Sequence, residues 1–271
     1  MPLYLVPTPI GNLEDITLRA LRVLREADII ACEDTRTSGI LLRHYNIHKT
    51  LTSFHLHNEN DKLPFLLSKL REGAKIAVIS DAGTPGISDP GWILLRHAMD
   101  EGMSFDVLPG PNAVLPAVLM SGITPQPFAF MGFPPEKHGE RMKLFEAVKN
   151  LPMTLCFYIS PHKAEKHIAD MIQILGNREA ALVREISKVY QESIRGTLSM
   201  ILERVISGVK GELVLVIAEG VEGVNDAWKS EALAMIHEGM SVKDTVKAIT
   251  EKYNIPANEA KRFIISHPEI S

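Results

Sequence analysis

A strand that runs into a loop dense in glycine and proline, and then restarts as a helix, leaves a chain few folds to choose from. Lys75-Ile76-Ala77-Val78-Ile79 is a short β-branched apolar run that predicts a buried strand. Ser80 to Gly91 follows as S-D-A-G-T-P-G-I-S-D-P-G, with three glycines and two prolines in twelve residues. A helix is expected next, with Asp89 as its N-cap, Pro90 in its first turn and Gly102 after its end. Such a loop leaves backbone N–H groups free and lets a ligand approach the main chain closely. In an open α/β sheet it lies beyond the carboxyl end of a strand, where ligands bind.

The same unit recurs. Strands are expected at residues 3–7, 28–32, near 50–54 and at 105–108, with helices over about 15–26, 38–44, up to 72 and up to 121. Strand, loop and helix in repetition predict a largely parallel sheet. The run G-I-T-P-Q-P at 122–127 breaks the pattern and marks a domain boundary. Beyond it, strands are expected near 128–132, 154–159, 181–185 and 212–217, and helices near 139–150, 161–175 and 198–207. Ser160, Pro161 and Gly176 punctuate the 161–175 helix as cap, first residue and stop. From Asp226 onward the pattern is purely helical, in three short amphipathic segments. The expected division is 1–122, 127–222 and a helical extension at 226–271.

Composition narrows the class. Of 271 residues, 45% are hydrophobic and 23% charged, the balance of a soluble globular chain. No apolar run approaches the roughly 18 residues a membrane helix needs. The opening residues show no basic lead and no cleavage site, and read straight into a strand, so a cytoplasmic location is expected. Cys32 and Cys156 are far apart in apolar surroundings and read as reduced core residues. The net charge of −4 argues against non-specific coating of nucleic acid, without excluding a local basic patch.

Three loops, Pro7–Asn12, Ser80–Gly91 and Pro109–Ala113, each follow a strand of the first sheet and should converge on one edge. No G-x-x-x-x-G-K-[ST] and no G-x-G-x-x-G follow these strands, which points away from a P-loop nucleotide and a Rossmann dinucleotide. The loops carry few basic side chains but hold Asp81 and Asp89, which suits a ligand with adenosine and amino-acid parts and a positive centre.

The loop at 80–91, the opening L-Y-L-V-P-T-P-I-G-N-L-E-D-I, the run C-E-D-T-R at 32–36, L-P-G-P-N-A at 108–113, G-F-P-P-E-K at 132–137, R-E-I-S-K at 184–188 and G-E-L-V-L-V-I at 211–217 closely resemble the bacterial small-subunit ribosomal RNA (cytidine-2′-O-)-methyltransferases of the tetrapyrrole methylase superfamily. The likeness is firm over about 1–220. It implies two α/β domains, the first sheet mostly parallel and the second mixed, with a small helical extension. It implies S-adenosylmethionine as cofactor in the cleft between the domains, ribosomal RNA of the small subunit or its 30S particle as partner, and a homodimer. By position it assigns cofactor contacts to Pro9, Ile10, Gly11 and Asn12, to Asp81, Gly83, Thr84, Pro85, Gly86 and Ile87, to Pro109, Gly110, Pro111, Asn112 and Ala113, and to Tyr158 and Ile217 in the second domain. The family's usual F-Y-E-S-P-H-R carries Ile159 and Lys163 here in place of Glu and Arg.

Two charged clusters are candidates for chemistry. Glu33, Asp34 and Arg36 end the second strand at the edge where the loops converge; a carboxylate there suits proton removal from a ribose hydroxyl, and Arg36 suits a phosphate. The bland alternative is an ion cluster capping the next helix. Glu185 with Lys188 is the second candidate. His44, His48, His55 and His57 crowd one stretch, but no Cys or further acidic ligand stands at metal-site spacing, so no metal is expected and contact with RNA or a partner subunit is the better reading. The alternatives to RNA methylation are a methylase acting on a tetrapyrrole or another small molecule, and a non-catalytic protein that only binds the cofactor.

Overall fold

The structure, a computed structural model, describes residues 2–220, 227–253 and 257–266. The last two residues of the expected second domain, and both ends of the expected extension, lie outside the described residues.

Strands β1 (Leu3–Leu5), β2 (Ile29–Cys32), β3 (Thr50–Ser53), β4 (Ile76–Ile79) and β5 (Phe105–Val107) form one sheet in the order β3-β2-β4-β1-β5. Every pairing in it is parallel, with Leu3 opposite Ile76 and Phe105, and Ile29 opposite Ile76 and Thr50. Helices α1 (Leu18–Glu26) and α2 (Thr35–His44) cover one face, and α3 (Glu59–Arg71) and α4 (Trp92–Asp100) the other. Alternation along β4 shows why this strand is apolar throughout: Ala77 and Ile79 join the α1/α2 core, Ile76 and Val78 the α3/α4 core. The connection leaving β2 runs outward to β3, and the one leaving β4 runs the other way to β5. The adjacent carboxyl ends of β2 and β4 therefore form a topological switch point.

Helix α5 (Val114–Ser121) follows β5 but packs on the second sheet, against β8 (Glu179–Arg184) and β10 (Leu213–Ile217). That sheet is ordered β6-β7-β10-β8-β9, with β6 (Phe128–Phe130), β7 (Thr154–Ile159) and β9 (Glu192–Thr197). Only β6 and β7 run parallel in it; β7/β10, β10/β8 and β8/β9 are antiparallel, the mixed sheet that the resemblance implies. Helices α6 (His138–Val148), α7 (Ala164–Leu175) and α8 (Leu198–Ile206) complete this half. Both sheets belong to a single compact unit.

Several local expectations need correction. Helix α1 starts after a Thr17 cap rather than at Asp15, because Asn12 turns Leu13–Asp15 into a separate 3-10 turn. The α4 cap is Gly91 at φ +131°, a conformation that favours glycine, and Asp89 stays in the loop. The Ser160 side chain caps nothing; Pro161–Lys163 is a 3-10 turn ahead of α7. Strand β9 was not expected at all.

The second compact unit is residues 149–152 with 219–271. Within it, α9 (Ala227–His237), α10 (Val242–Tyr253) and α11 (Ala257–Ser266) enclose their own small core of Trp228, Ala232, Ile249, Ala260 and Ile264.

Candidate active site

The three expected loops meet, and backbone pairing is the reason. Thr8 and Gly83 exchange hydrogen bonds, N–H to O=C, at 2.9 and 3.0 Å, and the Thr8 hydroxyl donates to the Ser80 carbonyl at 3.0 Å. Thr84 reaches the Pro111 carbonyl at 3.4 Å. A Cβ on Gly110 would stand 2.7 Å from the Pro7 Cβ, so only glycine lets the third loop lie this close to the first.

Behind these loops is a cavity of about 480 Å³. On the side of the first sheet it is lined by Ile10, Ala82, Gly83 and Ala113, with three carboxylates, Glu33, Asp81 and Asp89. The second sheet contributes Phe133, Tyr158, Ile159 and the turn Gly211–Val214. Tyr158 stacks edge-on against Phe130 at 4.8 Å and tilts against Phe133 at 5.3 Å, an aromatic wall. No lysine or arginine is among the described residues that line the cavity.

The switch point places the carboxylates together. The N–H of Asp34, leaving β2, donates to Asp81 Oδ1, leaving β4, at 3.2 Å. Burial raises all three acids above the usual carboxylate range, and each also feels a carboxylate neighbour. Glu33 and Asp81 are raised, the first further by Asp81 and the second by Asp34; Asp89 is pushed up to about 6, with Glu33 and Asp81 adding to the effect. Burial likewise pushes the Tyr158 phenol up to about 12, so it stays protonated. The result is a pocket of negative potential with partly apolar walls and no lysine or arginine among its described lining residues.

Among the residues predicted to line a site, Ile10, Asp81, Gly83, Ala113, Tyr158 and Glu33 do border this cavity. Pro9 and Gly11 face a second, smaller cavity on the other side of the same turn. Gly110, Pro111 and Asn112 border a third, shallower one, and the Asn112 side chain accepts the Leu115 N–H at the start of α5. Asn12 similarly holds the Glu14 N–H. Thr84 ties two loops together, while Pro85, Gly86 and exposed Ile87 turn away, Gly86 packing back toward Leu5. Pro109 also lies outside the lining.

Ile217 is a clear correction. It is fully buried and pairs with Leu155 and Ala180 at the far end of β10. Because β10 runs antiparallel to β7, the end of β10 beside Ile159 is its first residue, Leu213, and the cavity is lined there instead. Asp34 and Arg36 form the helix-capping pair that was the bland alternative. The Asp34 carboxylate accepts the Arg36 backbone N–H at 2.7 Å and its guanidinium at 3.0 Å, which holds that carboxyl below the usual range. Glu185 does not face the cavity: it accepts the Glu212 N–H at 2.9 Å and pairs with Lys188 at 3.1 Å, so it fixes the Gly211–Glu212 turn. A Cβ on Gly211 would fall 2.3 Å from that carboxylate. Lys163, where the usual pattern has Arg, pairs with Glu136.

Asp89 lines the cavity beside Asp81, in keeping with the ligand-facing role that the loop's composition suggested for both; sequence reasoning missed Phe133 and Gly211–Val214. The glycine at 211 signalled the turn, but nothing local says that an antiparallel neighbour brings it to the cavity.

The model of the tetrapyrrole (corrin/porphyrin) methylases matches residues 2–202. The chain belongs to the tetrapyrrole methylase family. Within it, the chain is 40% identical over 264 residues to a Streptococcus pyogenes protein named ribosomal RNA small subunit methyltransferase I, covering 95% of this chain and 92% of that one. A Bacillus subtilis protein of the same name is 40% identical, with 95% and 91% covered. Solved tetrapyrrole methylase folds superpose at low identity: uroporphyrin-III-C-methyltransferase from Thermus thermophilus at TM-score 0.58 and 20% identity, covering 81% of this chain and 95% of that one, and a diphthine synthase at 0.65 and 12%, covering 80% and 90%. These two show the shared fold.

Proposed function

We propose that this methyltransferase uses S-adenosylmethionine to methylate the 2′-oxygen of a cytidine ribose in small-subunit ribosomal RNA. The observation that carries the reading is the likeness to the ribosomal RNA methyltransferases at 40% identity across 95% of the chain. The cavity favours the cofactor on its own chemistry. Glu33, Asp81 and Asp89 supply negative charge with no lysine or arginine among the lining residues, which suits a ligand carrying a sulfonium and an ammonium. A tetrapyrrole bearing several carboxylates meets the wrong charge there.

S-adenosylmethionine supplies, when bound, a methyl group on a positively charged sulfur. The chain holds it in place: the carboxylates attract its cationic part, Ile10, Ala82 and Ala113 exclude water, and Phe133 with Tyr158 form the facing wall. Of the groups first assigned to chemistry, Glu33 keeps its role. Its raised proton affinity makes it a stronger base than an ordinary carboxylate for a ribose hydroxyl. Asp34, Arg36 and Glu185 act by shaping the loops. The reading includes a homodimer, favoured by the exposed Leu115 and Leu119 on α5, and a cytoplasmic enzyme, favoured by the free, buried Cys32 and Cys156.

Tritiated S-adenosylmethionine and small ribosomal subunits from a strain lacking the gene provide the test. Label recovered in an alkali-resistant dinucleotide is the expected result, since a methylated 2′-oxygen blocks alkaline cleavage. Unlabelled RNA, with calorimetric binding of S-adenosylmethionine intact, overturns the RNA reading.

A further inference from the structure

The cavity just described is acidic, yet the proposed substrate is a polyanion. The acceptor strand therefore needs a separate platform, and helix α2 has the required features on its two sides.

On one side of α2 is the second cavity, about 270 Å³, lined by Pro9, Leu13, Ile40, Leu41 and His44, with hydroxyls from Thr37 and Ser38. It shares Asp81 with the first cavity, and the Pro9–Gly11 turn runs between them: Ile10 faces one, Pro9 and Gly11 the other. Leu13 and Ile40 stand 39% and 65% exposed at its margin, apolar side chains partly open to solvent. On the opposite side of α2, a depression of about 440 Å³ carries Arg43, His48 and Lys49, with no acidic residue among its described lining. The side chains of these three make no hydrogen bond or ion pair among the described residues. In a chain of net charge −4, where Arg19, Arg22, Lys69, Arg71 and Arg96 near the first sheet are each held in an ion pair, three bases gathered in one depression match phosphate.

We propose that α2 is the platform for the acceptor strand: a single-stranded RNA segment crosses it, its flipped nucleotide enters the apolar cavity beside Asp81, and its flanking phosphates lie on Arg43, His48 and Lys49. This rests on the RNA methylation reading above. Entry beside Asp81 brings the ribose to the partition between the two cavities, so its hydroxyl can face the methyl donor's cavity while the base stays outside it. The base is held by apolar contact and by hydroxyls that hydrogen-bond its edge; the phosphates give affinity without sequence information.

Two variants test this: Ile40→Glu, which puts a carboxylate at the mouth of the cavity, and Arg43→Gln/Lys49→Gln, with Ile40 and Arg43 exposed and Lys49 half-buried. Methylation of undermethylated small subunits is measured against KCl concentration, and S-adenosylmethionine affinity by calorimetry. The double variant is expected to raise KM about tenfold with kcat held, and to flatten the plot of log(kcat/KM) against log[KCl] by about 1.4, two phosphate contacts on a single strand. Ile40→Glu is expected to lower kcat/KM at least about tenfold by the misfit of a buried charge. Both keep S-adenosylmethionine affinity within about twofold, which also certifies folding. Either variant methylating subunits within about twofold of the parent overturns the proposal, as does a loss of cofactor affinity comparable to the loss of activity. A parent enzyme that labels no subunit removes the RNA reading and this inference with it; an active parent with unaffected variants removes this inference alone.

Discussion

Asp89 shows how one side chain reports its surroundings. Its carboxyl titrates at about 6, against 3.8 in the ordinary case, chiefly through burial and then through Glu33 and Asp81. The folded state thus holds a proton more tightly than the unfolded state. The stability this gives is fully present below about pH 3.8 and is lost as pH rises through about 6. Asp89→Asn removes the penalty, so the ligand-free variant should be more stable than the parent at pH 7.5, by about 1 kcal/mol once solvent screening of a half-exposed group is allowed for. The gap should close by pH 4. Urea unfolding at several pH values checks this, and a gap that widens toward low pH would reverse the assignment. The same substitution should weaken S-adenosylmethionine binding about tenfold at pH 7.5, seen by calorimetry, because the negative charge that attracts the ligand is gone.

At the scale of elements, the loop after β6 is held by a buried charge. Arg141, fully buried on α6, donates to Asp170 on α7 at 2.7 Å and to the Pro135 and Glu136 carbonyls at 2.9 Å each. Those carbonyls follow Phe133 by two and three residues in the chain, so the pair anchors the loop that carries part of the aromatic wall. Arg141→Ala should cost about 3–5 kcal/mol, since it leaves Asp170 and two carbonyls without their partner, whereas Arg141→Met/Asp170→Leu should recover most of that loss. Chemical denaturation of both variants distinguishes this from a simple packing defect, which the double variant would not repair. Elements were legible in the sequence where apolar runs and punctuation agreed: β7 falls at Thr154–Ile159, and the described part of the tail forms three helices, as expected. Strand β9 was not legible. Its sequence E-S-I-R-G-T has no apolar run, because it is an edge strand paired only with β8 and half-exposed along its length. The α4 cap differs for a related reason: Asp89 has the composition of a cap, but Gly91 takes that position and the Asp89 side chain lies in the cavity, where it hydrogen-bonds Ser80.

At the scale of the molecule, both sheets form one unit whose two halves wall a single cavity, so a ligand there should stabilise the unit as a whole. At about 100 times its Kd, S-adenosylmethionine should add about 2.7 kcal/mol and raise Tm by roughly 5–11 °C for a unit of this size. Differential scanning calorimetry tests this; a Tm unmoved by saturating ligand would place the ligand elsewhere. The sequence by itself determined the two α/β halves, the parallel first sheet and the three loops at its edge, because apolar periodicity and Gly/Pro punctuation are local, and parallel strands force their carboxyl ends to one side. Only the tertiary structure decided which residues of those loops face inward. Strand order created the switch point that gathers Glu33, Asp81 and Asp89, and antiparallel pairing brought Leu213 rather than Ile217 to the cavity. Pairing partners, register and the direction of a neighbouring strand join residues far apart in the chain, and no local pattern encodes them.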